Sequence, residues 1–329
     1  MSPSLYRAPH WLPGAHLQTI YPALIAPRPR IVYRRERWDT PDGDFIDVDW
    51  LAGQETSILP LVVLFHGLEG SSRSHYALAL MAALRAAGRR GAVVHFRGCG
   101  GEPNRLPRAY HSGDSAEIDW ILRRFRRDHA AGAPLFAAGV SLGGNALLKW
   151  LGEQRAGAAA IVDAAAAISA PVDLMAAGAA LGRGFNLSYT RNFLVALKNK
   201  TLAKLERFPD LCNRERMLAA RTLREFDDVV TAPLHGFRDT DDYWTRASSK
   251  PLLTDIAVPT LMLNARNDPF LPERALPAPR EVSAAVTLEF PAAGGHAGFT
   301  TGVFPGRLDW PPQRVLGFFD EIARAIIRG

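Results

Sequence analysis

The sequence has little cysteine and no long apolar run. Its 329 residues contain two cysteines, Cys99 and Cys212, which lie far apart and lack the neighbouring Cys or His residues that a zinc site needs. We therefore expect neither a disulfide framework nor a metal, and unpaired thiols are typical of a reducing cytoplasm. No stretch approaches the roughly 18 apolar residues of a membrane span, and His10, Pro13 and His16 interrupt the N-terminus where a signal peptide needs an apolar core. We predict an unprocessed, cytoplasmic chain.

Nucleic-acid-binding motifs are also lacking, although the formal net charge is +6. Arginines cluster at two places, and in the second cluster they alternate with apolar residues at helical spacing. Such alternation predicts a helix with one solvated face and one buried face rather than a binding surface. We therefore expect no nucleic-acid partner. The clusters are Arg34, Arg35 and Arg37, and then Arg123, Arg124, Arg126 and Arg127.

The composition, 47% hydrophobic and 22% charged, is that of a globular protein with a large core. Short apolar runs alternate with helix-like segments, which predicts an α/β fold with a mostly parallel sheet and helices on both faces. The predicted strands are 61–65, 92–96, 135–140, 164–168, 260–264 and 286–290. The predicted helices around them are 74–87, 115–127, 142–152 and 312–327.

Between residues 171 and 254 the sequence contains helix-like pieces, such as 193–208 and 215–226, and no clear strand. We interpret 171–254 as a helical cap inserted over the carboxyl edge of the sheet, where α/β folds bind ligands. Residues 1–170 and 255–329 would then form the core.

A possible nucleophile lies between a predicted strand and a predicted helix. Gly139-Val140-Ser141-Leu142-Gly143 fits the pattern G-x-S-x-G, in which a sharp turn exposes a serine hydroxyl. Glycines flank the serine because a Cβ at either position would crowd the turn. This setting predicts that Ser141 is the nucleophile of a serine hydrolase.

A serine needs a base, which follows it in the chain on this fold. Only His235 and His296 lie after Ser141. His296 comes just after the last predicted strand, in Gly294-Gly295-His296-Ala297-Gly298, whereas His235 lies in the predicted cap. We therefore favour His296 as the base.

Three carboxylates are candidates for the acid that orients the histidine. Asp268 follows the strand 260–264 and precedes Pro269, so it lies in the loop where this fold places the acid. Asp173 follows the strand 164–168 and is the alternative, and Asp255 is less well placed because it precedes a strand. For the oxyanion hole we predict the backbone N–H groups of Leu142 and of Leu68, the latter in His66-Gly67-Leu68-Glu69-Gly70.

Several further motifs resemble the YheT-like family of α/β-hydrolases, also called the AB hydrolase 4 family, over nearly the whole chain. The resemblance departs from the family pattern at Ala15, Ala293 and Ala297, none of which is a candidate catalytic residue. The matching motifs are Trp11-Leu12-Pro13-Gly14-Ala15-His16-Leu17-Gln18-Thr19, His66-Gly67-Leu68-Glu69-Gly70-Ser71, Phe96-Arg97-Gly98-Cys99-Gly100-Gly101, Tyr110-His111-Ser112-Gly113-Asp114, Arg224-Glu225-Phe226-Asp227-Asp228, Ala247-Ser248-Ser249 and Asn267-Asp268-Pro269-Phe270.

The resemblance implies an α/β-hydrolase fold in which Ser141, Asp268 and His296 correspond to the catalytic triad. It implies hydrolysis of carboxylic esters, either short-chain esters or monoacylglycerol-like lipids, without a metal or organic cofactor. Arg97, Cys99 and His111 are expected to shape the region beside the pocket. We expect Cys99 to lack a basic neighbour that could activate it.

Two alternatives remain open at this point. The same three residues could transfer the acyl group to an alcohol instead of water. The chain could also be a non-catalytic module with weak peripheral membrane contact through the segment 193–208, which carries Lys198, Lys200 and Lys204. The sequence predicts no oligomeric state.

Overall fold

A computed structural model describes residues 6–53 and 58–328, with side chains described up to residue 325. The first five residues of the predicted core, 54–57 and Gly329 lie outside the described residues. The strands are β1 (Tyr33–Asp39), β2 (Phe45–Leu51), β3 (Leu61–Phe65), β4 (Arg90–His95), β5 (Leu135–Val140), β6 (Ala164–Ile168), β7 (Thr260–Leu263) and β8 (Val286–Glu289). The α-helices are α1 (Ala15–Leu24), α2 (His75–Ala86), α3 (Ser115–His129), α4 (Leu142–Gln154), α5 (Leu174–Leu181), α6 (Leu187–Leu205), α7 (Arg214–Ala219), α8 (Leu223–Phe226), α9 (Ala232–Leu234), α10 (Thr240–Ala247) and α11 (Trp310–Arg328).

All eight strands form one sheet in the order β1-β2-β4-β3-β5-β6-β7-β8. The strands from β4 to β8 in that order pair in parallel, which confirms the predicted mostly parallel sheet. Strands β1 and β2 were not predicted from the sequence, and they form an antiparallel hairpin that extends the sheet beyond β4. Helix α1, which precedes β1 in the chain, was not predicted either.

Alternation along the strands sends side chains to two cores, one on each face of the sheet. On β3, Val63 and Phe65 pack with residues of α3 and α4. Val62 and Leu64 pack on the opposite face with residues of α2 and α11. The sheet is therefore covered by helices on both faces, as predicted.

The chain between β6 and β7 forms helices α5 to α10 and no strand. These helices have apolar clusters of their own, and one of them includes Leu194, Met217 and Phe226. The helical segment between β6 and β7 is called the cap below, and the division of the chain at residues 171 and 254 stays a prediction. No helix within the described ranges is long and apolar enough to cross a membrane.

Helix α11 is the closing element of the core, and we predict that Phe319 anchors it. The ring of Phe319 is fully buried and stacks on Phe136 of β5 with ring centroids 4.6 Å apart. Phe319→Ala should lower the free energy of unfolding by about 3–5 kcal/mol because it leaves a cavity. Phe185→Ala, which makes the same change at a side chain that is 53% exposed, should cost less than about 1 kcal/mol. Urea denaturation of both variants measures the difference, and equal losses would contradict this account of the core.

Candidate active site

Ser141 occupies a strained turn between β5 and α4. Its φ of 53° and ψ of −121° lie in a region that residues with a side chain rarely adopt. Close packing holds the turn in place: a Cβ on Gly139 would lie 2.5 Å from the carbonyl oxygen of Gly143, and one on Gly143 would lie 2.5 Å from that of Phe65. The predicted need for glycine on both sides of Ser141 is confirmed, and strain of this kind is common at functional sites.

The structure brings Ser141, His296 and Asp268 together in one chain of hydrogen bonds. Nε2 of His296 lies 2.9 Å from Oγ of Ser141, and Nδ1 lies 2.8 Å from Oδ2 of Asp268. An ionised carboxylate only accepts, so Nδ1–H donates to Asp268 and Nε2 is left to accept the serine proton. The Asp268 carboxylate is fully buried, and its Oδ1 accepts the N–H of Phe270 at 2.8 Å.

The other residues considered for these positions lie elsewhere. Asp173 caps α5, where its side chain accepts the N–H of Ala176. Asp255 faces Arg155 at 3.5 Å. The ring of His235 packs against that of His111 with centroids 4.5 Å apart, and burial lowers its pKa to about 3.

The loop after β3 runs beside Ser141. A Cβ on Gly67 would come within 3.0 Å of the Ser141 Cβ. Within the described residues, neither Leu68 N–H nor Leu142 N–H has a hydrogen-bond acceptor, and both residues line the same cavity as Ser141. Two backbone donors without acceptors therefore line the cavity that contains Ser141.

His66, which begins this loop, has a structural role. Its Nε2 accepts the N–H of Phe96 at 3.2 Å, so its Nδ1–H donates to the Gly67 carbonyl at 2.7 Å. Burial lowers the pKa of His66 to about 3, which keeps the ring neutral. The Gly67 N–H in turn donates to the Tyr76 hydroxyl at 2.9 Å.

Glu69 connects the same loop to the cap. Its N–H donates to the Tyr110 hydroxyl at 2.8 Å, and that hydroxyl donates back to Oε1 of Glu69 at 2.7 Å. Oε2 of Glu69 lies 2.7 Å from Nζ of Lys200 on α6. The position of Leu68, the residue before Glu69, is thus tied to the cap through an ion pair.

Lys200 also corrects the expectation for Cys99. We expected no basic neighbour, but Nζ of Lys200 lies 3.3 Å from Sγ of Cys99. Burial nevertheless raises the pKa of the Cys99 thiol to about 11, so the thiol stays protonated and a poor nucleophile.

A cavity of about 400 Å³ lies between the core and the cap and is lined by Ser141 and His296. This volume is within the range of about 300–1,000 Å³ typical of sites for small molecules. Its cap wall is mostly apolar and includes Phe193, Leu197, Phe226, Val230, Leu234 and Trp244. Arg97 also lines the cavity, but its guanidinium is bound to Asp42, Asp44 and Glu117.

Gln18 of α1 joins the loop that carries Asn267 and Asp268, called the acid loop below, to the loop that carries Gly294 and His296, called the histidine loop. The sequence alone did not predict this contact. Its Oε1 accepts from the Asn267 side-chain amide and from the Gly294 N–H, both at 2.9 Å. Its Nε2 donates to the Leu12 carbonyl at 2.9 Å. Gln18 lies in a motif that the sequence analysis had singled out, but only the structure shows what its side chain contacts.

Three more side chains brace the histidine loop. The Thr19 hydroxyl accepts the His296 N–H at 2.9 Å, and the Ser169 hydroxyl accepts the Ala297 N–H at 2.9 Å. Nε2–H of His75 donates to the Ala297 carbonyl at 2.8 Å. Burial lowers the pKa of His75 to about 4, so this brace is a neutral ring.

The lysines of 193–208 bond inside the protein. Nζ of Lys198 donates to the carbonyls of Leu218 and Ala220, and Lys200 pairs with Glu69. Nζ of Lys204 donates to three core carbonyls, those of Leu106, Pro107 and Arg108. These three amines therefore have hydrogen-bond or ion-pair partners inside the protein, and weak membrane contact through 193–208 stays a prediction.

No group of three or more His, Cys, Asp or Glu residues that could hold a metal occurs in the part of the chain that the structure describes.

Residues 60–303 match the family profile of the α/β-hydrolase fold. YheT of Escherichia coli (strain K12) is 39% identical over 305 residues, which cover 92% of this chain and 89% of that protein. Phospholipase ABHD3 of Mus musculus is 31% identical over 303 residues, or 90% of this chain and 73% of the relative. Monoacylglycerol lipase of Saccharomyces cerevisiae is 26% identical and is matched over 81% of this chain and 59% of the relative.

The fold is also similar to that of solved esterases. Pyrococcus furiosus esterase Pf2001 superposes with a TM-score of 0.56 at 16% identity, covering 88% of this chain and 93% of the other. Est1E from Butyrivibrio proteoclasticus with bound ferulic acid gives 0.56 at 14% identity, covering 89% and 99%. At such low identity the likeness is one of fold alone.

We predict that the two loops depend on Gln18 for their stability. Gln18→Ala leaves the buried Gly294 N–H and the Asn267 amide without their acceptor, which should lower the free energy of unfolding by about 2–3 kcal/mol. Amide hydrogen exchange at Gly294 should also become faster. Gln313→Ala removes the same side chain from an exposed position of α11 and should do neither. Urea denaturation and hydrogen exchange measure both effects, and a Gln18→Ala protein with unchanged exchange at Gly294 would refute the assignment.

Proposed function

This chain is a hydrolase of the α/β-hydrolase family, in its YheT-like branch, and we propose that it cleaves carboxylic esters through an acyl-enzyme on Ser141. The observation that carries the proposal is the continuous hydrogen-bond chain from Ser141 Oγ through the His296 ring to the buried Asp268 carboxylate. A serine hydroxyl becomes a nucleophile when an adjacent base removes its proton as it attacks. Here the base nitrogen already faces the hydroxyl.

In the first half of the reaction, Nε2 of His296 takes the Ser141 proton while Oγ bonds to the carbonyl carbon of the ester. The carbonyl oxygen becomes an oxyanion, which the free N–H groups of Leu68 and Leu142 would bind. The tetrahedral intermediate then collapses, His296 gives its proton to the oxygen of the departing alcohol, and the acyl group stays on Oγ. The ionised Asp268 stabilises the imidazolium throughout and keeps the ring in the required tautomer.

In the second half, His296 deprotonates a water molecule that attacks the acyl carbon. Collapse of the second intermediate returns the proton to Ser141 Oγ and releases the carboxylic acid. No step needs a metal or an organic cofactor. We propose short-chain esters or monoacylglycerol-like lipids as substrates, because the cavity beside Ser141 is small and mostly apolar, and because one relative is named a monoacylglycerol lipase.

Hydrolysis of nitrophenyl esters from acetate to decanoate tests the proposal. Ser141→Ala should lower kcat by at least about a thousandfold and should abolish labelling by a fluorophosphonate. Ser188→Ala, at an exposed position of α6, should leave both unchanged. The chain length with the highest kcat/KM would size the acyl pocket. A Ser141→Ala protein that retains the activity would overturn the assignment of the nucleophile.

The two candidate acids can be separated by matched variants. Asp268→Asn cannot accept from Nδ1 in the same way and should lower kcat by about 10⁴-fold with little change in KM. Asp173→Asn should leave kcat near that of the wild type, since asparagine caps a helix about as well as aspartate does. Steady-state kinetics on the preferred nitrophenyl ester decide the question, and a large loss in Asp173→Asn alone would reverse our assignment.

A further inference from the structure

One acidic side chain faces the cavity from the cap without a cationic partner. Asp227 lines the same cavity as Ser141 and His296. It begins a π-helical turn, Asp227–Thr231, and such turns occur frequently at functional sites. The indole N–H of Trp244, which also lines the cavity, donates to Oδ2 of Asp227 at 2.9 Å. Asp227 therefore sits at the edge between the cap interior and the space where a substrate lies.

The charges around Asp227 leave it unpaired. No Arg, Lys or His of the described residues makes an ion pair with it, and the Thr231 hydroxyl and the Trp244 indole supply its hydrogen bonds. Arg224, three residues before it, lies over the Trp244 ring but pairs with Asp241. Burial raises the pKa of Asp227 to about 6.

The neighbouring Asp228 differs from Asp227. Its Oδ1 accepts the N–H of Thr240 at 3.3 Å, which holds the cap helices together. Asp228 is exposed and does not line the cavity. Asp228 therefore bonds within the cap, whereas Asp227 lines the cavity.

We propose that Asp227 and the Trp244 indole edge form a binding site for a free hydroxyl group on the alcohol part of the substrate. A carboxylate offers about four acceptor positions, and the two donors of the protein leave room for a ligand donor. Burial of a carboxylate costs free energy unless enough hydrogen-bond donors satisfy its oxygens. A ligand hydroxyl that donates to Asp227 in place of water is therefore favoured. This inference rests on the proposed function, which defines the substrate. Ligand binding at the site can nevertheless be measured without catalysis.

Charge selects a neutral donor over a cationic one. Arg97 and Lys200 line the same cavity but are paired with carboxylates. Lys204, which also lines it, donates to backbone carbonyls and would repel an ammonium group. The remaining wall of the cap is apolar and suits an acyl chain or its equivalent. The ligand class is thus an uncharged monoester with at least one free hydroxyl on its alcohol, of which a glycerol monoester is the simplest lipid example.

Binding of two ethers that cannot be hydrolysed tests the site. Titration calorimetry with 1-O-decylglycerol and with decyl methyl ether compares ligands that share a chain and differ in free hydroxyl groups. Asp227→Asn keeps the shape and an acceptor for Trp244 but loses the charge, so it should weaken binding of the glyceryl ether about 10- to 100-fold. Binding of the methyl ether should be unchanged. Asp228→Asn should alter neither affinity.

The outcomes separate this inference from the proposed esterase activity. If Asp227→Asn weakens binding of both ethers equally, Asp227 has a purely structural role and the inference is overturned. Unchanged affinity of Asp227→Asn for the glyceryl ether would also overturn it, and so would failure of the wild type to bind that ether. A glyceryl preference that depends on Asp227 supports the site even if the corresponding esters are not cleaved. Failure to cleave those esters would count against the proposed function instead.

Discussion

The parallel pairing of the central strands determines where every reacting group of this protein can lie. The strands β3, β5, β6, β7 and β8 end level with one another at one edge of the sheet. The register pairs Phe65 with Gly139, Ile168 with Val140 and Leu263, and Leu263 with Glu289. The loops that leave β3, β5, β7 and β8 carry Leu68, Ser141, Asp268 and His296 in turn. Side chains that are as much as 155 residues apart, as Ser141 and His296 are, therefore meet because the sheet places their loops side by side.

Level strand ends bring the loops near one another, but hydrogen bonds between loops hold them at bonding distance. The Gln18 amide contacts the acid loop and the histidine loop at once, and its side chain is almost fully buried. The histidine loop is close to α1 along its length, since a Cβ on Gly298 would meet the Gln18 carbonyl oxygen at 2.0 Å. Helix α1, far from both loops in sequence, is therefore part of the site rather than an appendage to the fold.

The sequence predicted the buried parallel strands well because their patterns are strong and local. The bounds predicted for the strands that became β3, β5 and β6 agree with the structure. The hairpin β1–β2 was not predicted, although apolar Ile46, Val48 and Trp50 alternate in β2 with Asp47 and Asp49, a pattern typical of a strand. What the sequence does not show is that Asp47 and Asp49 are buried, because they accept hydrogen bonds from Arg37 and Arg35 of β1.

The candidate site shows the same division between local and long-range information. Ser141 and His296 could be proposed because glycines mark their turns in the sequence, and the fold then restricts the order in which acid and base follow. The contact of Gln18 with Gly294 spans 276 residues, and no local pattern announces such a bond. The pairing of Lys200 with Glu69 is also long-range, which is why a lysine of the cap was expected at the surface.

The basic character of the cap has a structural explanation. Lys200 pairs with Glu69 beside the free N–H of Leu68, and Lys204 and Arg207 donate to core carbonyls between Asn104 and Arg108. Each of these bonds crosses from α6, or the residues just after it, to a loop of the core. Because a buried amine is costly unless it is bonded, and Lys204 is buried, the cap is favoured in the position where this amine finds its acceptors. The same position closes the cavity over Ser141, so the charges that would suggest a binding surface instead hold the wall of the site against the loop that carries Leu68.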